Sequence, residues 1–325
     1  MVNFEDMSEL TKDLVKVNEH IERLCKSNNA SMQKVIDWVL SARGKQIRPV
    51  LTLLCSKLKG KRKDASEMAA VVEIAHTASL VHDDVIDNAD ERRGILSVHK
   101  KFNREMAVYA GDFMIFVTLG RTNLRLKPWY RDMFQNLEVM CDGELAQFDN
   151  QWNCDITEEQ YISNIIGKTS SMFRIACVSG AYIGGCDETE RYAVGEYAAN
   201  FGLLFQMRDD LMDFVSTKKV SLKTVHNDFK FGYYTLPAIH AFANPGCGKA
   251  LRDYAESAKR GDYEHVNDEK INELIAEAGG FRYTYDKICS YAASAIDSLA
   301  CLPDTKYRRK LEELVRYLLE TTPKV

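Results

Sequence analysis

Six prolines in 325 residues leave few places where a helix must end, and the stretches between them carry apolar residues at i, i+3, i+4 and i+7. This pattern constrains the chain more than any single motif. It predicts helices over 5–26, 31–42, 47–59, 65–88, 95–107, 110–125, 130–151, 157–183, 188–216, 233–243, 248–260, 267–278, 280–301 and 305–321. No alternating strand pattern of any length and no fixed-period repeat occurs. Pro49 suits the first turn of the helix at 47–59. Asp64 with Glu67 reads as an N-cap and capping box for the helix at 65–88. Residues 217–230 are polar, break the periodicity and are expected to form a loop. Ala243-Asn-Pro-Gly-Cys-Gly-Lys249 lacks the spacing and preceding strand of a phosphate loop, so it reads as an interhelical turn. No Pro/Gly/Ser-rich linker divides the chain, and the expectation is a single all-α domain over 1–325.

Composition narrows the function classes. A net charge of −4 without a basic stripe gives no reason to expect nucleic acid. Nine cysteines from Cys25 to Cys301, with no CxxC pair, suggest reduced thiols and a cytoplasmic protein. The opening Met-Val-Asn-Phe-Glu-Asp is acidic without an apolar core, which argues against a signal peptide. No apolar run approaches the roughly 18 residues of a spanning helix, so no transmembrane segment is expected.

The helix expected at 65–88 ends in His82-Asp83-Asp84-Val85-Ile86-Asp87, followed by Glu91-Arg92-Arg93-Gly94. Asp83 and Asp87 are i and i+4, one turn apart on one face, with Asp84 about 100° round. Gln206-Met-Arg208-Asp209-Asp210-Leu-Met-Asp213 repeats the spacing 126 residues later. Clustered carboxylates call for a cation. Hard oxygen ligands with room for water suggest Mg²⁺, which takes one or two carboxylates and shares its other positions with water and substrate phosphates.

These motifs, with Gly44-Lys45-Gln46-Ile47-Arg48-Pro49, His76, Gly111-Asp112-Phe113, Gly143-Glu144-Leu-Ala-Gln147, Gly167-Lys168-Thr169 and Gly232-Tyr-Tyr-Thr-Leu236-Pro237, resemble the trans-isoprenyl diphosphate synthases, the polyprenyl synthetase family. Ala78–Asp87 looks most like the catalytic subunits of bacterial hexaprenyl and heptaprenyl synthases. The resemblance implies a helical bundle around a central cavity, usually a homodimer, in some relatives working with a small accessory subunit. The implied reaction condenses isopentenyl diphosphate with an allylic diphosphate, using Mg²⁺, three ions with substrate bound.

By that resemblance Asp83, Asp87 and Asp209 hold metal. Asp84, Asp210 and Asp213 belong to the same catalytic set, with Asp84 and Asp210 holding ligands in place and Asp213 within reach of the second metal. Lys168, Thr169, Gln206, Arg92 and Lys223 match positions around the allylic diphosphate. Lys45, Arg48, His76 and Arg93 match a cationic pocket for isopentenyl diphosphate. Leu222-Lys223-Thr224 replaces the more common Gly-Lys-Pro, and Tyr233 stands where many relatives carry a lysine; Lys230 is a candidate to compensate. His82 reads as structural rather than as a base.

In this family a bulky residue one turn below the first aspartates stops chain growth. Ala78 and Ser79 are small, which implies a medium- or long-chain product of quinone side-chain length, with farnesyl or geranylgeranyl diphosphate as the shorter alternative. Met133 and Met140 are candidates for the cavity floor. A terpene cyclase fits less well because both aspartate motifs and the Lys45/Arg48/Arg93 set are present. A non-catalytic partner subunit would typically lose one of the motifs. A di-metal carboxylate bundle would need ExxH pairs, which do not occur.

Overall fold

The computed structural model describes residues 8–60, 63–122, 127–215 and 227–324. Its helices are α1 (Ser8–Leu24), α2 (Ala30–Ser41), α3 (Ile47–Cys55), α4 (Ser66–Ile86), α5 (Val98–Lys101), α6 (Arg104–Gly120), α7 (Pro128–Asp149), α8 (Glu158–Ile165), α9 (Ser171–Gly184), α10 (Glu188–Val215), α11 (Asn227–Lys230), α12 (Leu236–Phe242), α13 (Gly248–Lys259), α14 (Asp268–Glu277), α15 (Gly280–Ser298) and α16 (Lys306–Glu320). A hairpin of β1 (Glu91–Arg92) and β2 (Ile95–Leu96) is the only sheet among the described residues. The residues fall into two compact units of discontinuous chain. One comprises Met1–Gln135, Ile175–Val194 and Leu302–Leu311, the other Asn136–Arg174, Gly195–Cys301 and Glu312–Val325.

In the first unit α4 packs against α1, α3 and α6. Met68, Ala69, Ala70, Val71, Val72, Ile74, Ala75 and Ala78 of α4 are all buried, so this helix is apolar nearly all round, as an enclosed helix must be. Leu51 and Leu54 of α3 are fully buried, and each such leucine contributes about 1.5–3 kcal/mol over exposure. Packing rather than capping fixes the start of α4. Asp64 accepts from the Ser66 backbone N–H at 3.0 Å instead of capping the helix, Ala65 occupies the cap position without a side-chain bond, and Glu67 turns to Arg23 at 3.2 Å. The expected capping box is therefore absent.

The helix expected over 95–107 forms only in part: Ile95 and Leu96 are strand, and helix is confined to α5 (Val98–Lys101) and the start of α6. Glu91 and Arg92 pair antiparallel with Leu96 and Ile95, and both turn residues have positive φ, Arg93 at 54° and Gly94 at 79°. This is the geometry of a two-residue hairpin turn, with glycine at the position that tolerates it best. The helix that follows restarts at Arg104, where the Asn103 carboxamide accepts from the Met106 N–H at 2.7 Å.

In the second unit α12 packs against α8, α13, α14 and α15. Phe173 meets Phe201 and Phe205 edge-on, with centroids at 5.1 and 5.3 Å. The helix expected over 157–183 is interrupted at Ile166–Ser170 by one π-helical turn. Its backbone lies against that of α7. A Cβ on Gly143 would sit 2.6 Å from the Lys168 nitrogen, and one on Gly167 would sit 2.7 Å from the Gly143 Cα. Only glycine at both positions allows this approach.

Residues 243–247 join α12 to α13 as the expected turn, with the Asn244 side chain accepting from the Gly246 N–H at 2.8 Å. All nine cysteines are free thiols. No described helix is long and apolar enough to cross a membrane.

Candidate active site

The first aspartate motif occupies the last turn of α4. Asp83 is half-buried and Asp87 exposed, with the Asp87 N–H donating to the Asp83 carbonyl at 2.8 Å, so the two carboxylates stand one turn apart. Asp84 faces another way. It is 3% exposed and accepts from the Arg92 Nε at 2.8 Å and Nη2 at 2.5 Å. Burial pushes its carboxyl upward, and the guanidinium works against that shift. His82 sits so close to α6 that a Cβ on Gly111 would fall 2.2 Å from its Nε2. Its Nε2 lies 3.2 Å from the Val108 carbonyl and 3.5 Å from Asp112. Gly111-Asp112 is thus explained as the seat of His82.

The second motif lies on α10 and divides its aspartates in the same way. Asp209 is 47% exposed, with Arg208 Nη1 3.0 Å from its carboxylate, and Asp213 is half-buried one turn on. Asp210 is buried, accepting from the Tyr161 hydroxyl at 2.6 Å and from the Gln206 Nε2 at 2.8 Å. Burial, with the Asp228 carboxylate nearby, pushes Asp210 up to about 7 despite these two donors. The chain of bonds continues, since the Thr169 hydroxyl donates to the Gln206 Oε1 at 2.8 Å. Beside Thr169 on the π turn, Lys168 reaches Glu144 at 2.8 Å and Gln147 at 2.9 Å on α7.

The four residues expected to bind isopentenyl diphosphate all fall in the first unit. Arg48 Nη1 donates to His76 Nε2 at 3.0 Å. A guanidinium can only donate, so Nε2 is the acceptor and the ring proton resides on Nδ1. Burial, reinforced by Arg48 and Arg93, holds His76 well below its ordinary range, so it is neutral and orients Arg48 rather than adding charge. Arg48 is pulled down to about 10 by burial and remains a cation at neutral pH. Arg93 donates to the Ala42 carbonyl at 3.1 Å and lies against Gly44, where a Cβ would meet its Nη2 at 2.6 Å. Lys45 is exposed.

Two residues of this site escaped the sequence reading. Glu73, 6% exposed, lies 4.0 Å from Arg93, and it is the only carboxylate in the enclosed stretch Met68–Ala78. A lone acid inside an apolar helix needs a partner, and that signal was available. Tyr161 follows a capping box formed by Thr157 and Gln160, and nothing local marks its hydroxyl.

Lys223, with Leu222 and Thr224, lies outside the described residues. The Lys230 ammonium is 2.7 Å from the Asp268 carboxylate. Gly232, at φ 78°, leaves room for the Trp152 ring, which a Cβ there would meet at 2.3 Å. Ala78 is fully buried and Ser79 half-buried, its hydroxyl donating to the His76 carbonyl at 2.9 Å. Met133 is buried and Met140 half-buried.

In each motif taken by itself the side chains that are not buried include carboxylates: Asp83 with Asp87 on α4, and Asp209 on α10. Among the described residues no three acidic, His or Cys side chains converge on one point. An ion that takes one or two carboxylates and completes its shell with water and phosphate oxygens, the habit of Mg²⁺, fits the carboxylates of each motif taken by itself.

The sequence matches the Polyprenyl synthetase family over residues 29–274. Octaprenyl diphosphate synthase of Escherichia coli is 31% identical over 313 residues, covering 95% of this chain and 96% of that protein. Among solved structures, a decaprenyl diphosphate synthase from Rhodobacter capsulatus superimposes with a TM-score of 0.89 at 29% identity, covering 98% of both chains. A polyprenyl synthase from Caulobacter crescentus, complexed with calcium and isoprenyl diphosphate, gives 0.87 at 28% identity over 96% of both. The fold is that of the isoprenyl diphosphate synthases, and the chain is a prenyltransferase. It belongs to the polyprenyl synthetase family.

Proposed function

We propose that this enzyme condenses isopentenyl diphosphate head to tail with an allylic diphosphate, and repeats the step to a medium- or long-chain all-trans polyprenyl diphosphate. The observation that carries the reading is the parallel split of the two motifs. In each, the middle aspartate is buried against protein donors, Asp84 on Arg92 and Asp210 on Tyr161 and Gln206, while Asp83 with Asp87, and Asp209, remain accessible. Two structural carboxylates alone would not need that repeated division.

We assign Asp83, Asp87 and Asp209 to Mg²⁺, three ions with substrate bound. When bound, Mg²⁺ neutralises the charge that develops on the departing diphosphate. Lys168, Thr169 and Gln206, with Lys223 and Arg92, are assigned to that same diphosphate. The Arg92 hydrogen bonds to Asp84 hold its guanidinium in place. Arg48, Arg93 and Lys45 are assigned to isopentenyl diphosphate, where planar guanidinium groups match paired phosphate oxygens. The homoallylic double bond attacks the allylic carbon as its C–O bond breaks, and the released diphosphate takes the proton. No nucleophilic Ser or Cys is needed.

Small side chains at Ala78 and Ser79 support a long product. Exposed Val108, Tyr109, Phe116 and Leu119 on α6 support a homodimer, since they form an apolar stripe at helical spacing. Nine free thiols support a cytoplasmic enzyme. The test is incubation of purified protein with Mg²⁺, labelled isopentenyl diphosphate and farnesyl or geranylgeranyl diphosphate, followed by measurement of product length. Extension beyond geranylgeranyl diphosphate is expected. No elongation, even after a candidate accessory subunit is added, refutes the synthase reading; arrest at geranylgeranyl diphosphate refutes the long-chain reading.

A further inference from the structure

Glu73 lies beside Arg93, one of the cations assigned above to an anion, which is where a carboxylate is least expected. It sits three residues before His76 on α4, in the part of the helix where nearly every neighbour is apolar and buried. Its carboxylate is 4.0 Å from the Arg93 guanidinium, and both residues line a small cavity with Arg43, Gln46 and Thr77. Burial pushes its carboxyl upward, while Arg48 and Arg93 each draw it back down. Arg48 in turn is pulled toward deprotonation by burial and by the Arg93 charge, and Glu73 opposes both effects.

Two guanidinium groups held close together in a partly enclosed site repel each other, and neither can shed its proton at neutral pH. His76 cannot relieve the repulsion, because it is neutral and accepts a hydrogen bond from Arg48. Arg93 has a second tether, the Ala42 carbonyl, which supplies a dipole but no charge. Glu73 is the buried carboxylate that lies 4.0 Å from Arg93, and its charge acts on Arg48 as well.

We propose that Glu73 is a positioning residue: it is the resident counter-ion that keeps Arg48 and Arg93 gathered as a preformed fork for the diphosphate of the homoallylic substrate. Resting on the functional reading above, this assigns to Glu73 a role in binding one of the two substrates and not the other. The ordering of two long cationic side chains is then completed on folding rather than at each binding event, which lowers the cost of association.

The experiment compares Glu73→Gln and Glu73→Asp with the parent enzyme. The neutral amide keeps the shape and removes the charge; the shorter acid keeps the charge and withdraws it by about one bond length. Steady-state kinetics should show a rise of about tenfold in the KM for isopentenyl diphosphate in Glu73→Gln, a smaller rise in Glu73→Asp, and a KM for the allylic diphosphate within about twofold of the parent. Calorimetric titration with inorganic diphosphate in the presence of EDTA should show the same order of affinities without turnover. Equal changes in both KM values, or an unchanged affinity for both isopentenyl and inorganic diphosphate, would overturn the proposal. Because removing one member of a buried charge cluster can prevent folding, far-UV circular dichroism precedes the kinetics, and if Glu73→Gln is unfolded the same comparison on Glu73→Asp decides. Should the parent bind diphosphate in EDTA yet fail to elongate, the functional reading fails while the titration still tests Glu73.

Discussion

Gly143→Ala is the most searching test of how the π turn delivers Lys168. The added methyl carbon would sit 2.6 Å from the Lys168 nitrogen, 2.7 Å from the Gly167 Cα and 2.8 Å from the Gly167 carbonyl carbon. Ordinary carbon contacts lie at about 3.5–4.0 Å, so α7 and the π turn must part by roughly 1 Å. All three obstructing atoms are backbone, and no side-chain rotation relieves them. The cost should fall at the upper end of the about 1–3 kcal/mol typical of overpacking, seen as a fall of several degrees in Tm. The same movement carries Lys168 away from Glu144 and Gln147, now at 2.8 and 2.9 Å. Displacing a substrate-positioning group by about 1 Å can cost about 10²-fold in rate. Differential scanning calorimetry and steady-state kinetics on the purified variant measure both effects. Gly120→Ala is the control, since nothing lies within 4 Å of a Cβ there; it should be neutral or slightly stabilising. A normal kcat beside a lowered Tm would refute the link between the glycine contact and Lys168. An unchanged Tm would refute the contact itself.

Other expectations follow from the division of the aspartates. Asp87→Ala should lower kcat by at least about 10²-fold and raise the Mg²⁺ concentration needed for half-maximal rate. Asp84→Asn should lower Tm and raise the KM for the allylic diphosphate, by freeing Arg92, while leaving the Mg²⁺ dependence in place; an equal shift in Mg²⁺ dependence for the two variants would show that Asp84 is a ligand after all. Ser79→Phe should shorten the product while condensation continues, and unchanged product length would locate the stopping point elsewhere. Thiol reagents at pH 8 should modify exposed Cys301 well before Cys25 or Cys186, both buried and pushed up to about 12 by burial. Early labelling of Cys25, read by mass spectrometry, would contradict that packing.

Much of the fold was legible because its helices are long and their apolar spacing is sustained, as in α4 and α10. The aspartate pairs were legible because i and i+4 on a helix is a fixed geometry. What could not be read is where one residue changes the phase. The π turn at Ile166–Ser170 inserts itself into an apolar pattern that still looks helical on both sides. Ile95 and Leu96 continue the helical spacing of the residues after them, but there the turn chemistry of Arg93-Gly94 prevails. Side-chain diversion was equally hidden: nothing in the repeated aspartate spacing says that Asp84 and Asp210 are claimed by Arg92 and Tyr161, or that His76 beside two arginines is neutral.

The hairpin after α4 has a consequence for insertions and deletions. Asp84 and Glu73 are eleven residues apart, three turns along nearly the same stripe of α4, or about 16 Å. Arg92 and Arg93 are adjacent, yet the first reaches Asp84 and the second lies beside Glu73. Neighbouring residues at a strand end point in opposite directions, and a shift of one position exchanges them. Adding one residue between Asp87 and Arg92 would therefore carry Arg92 into the place beside Glu73, and losing one would carry Arg93 into the place beside Asp84, in each case displacing the other guanidinium while leaving composition and charge nearly untouched. In this segment the spacing of the chain, more than the chemistry of any one side chain, is what a viable variant must preserve.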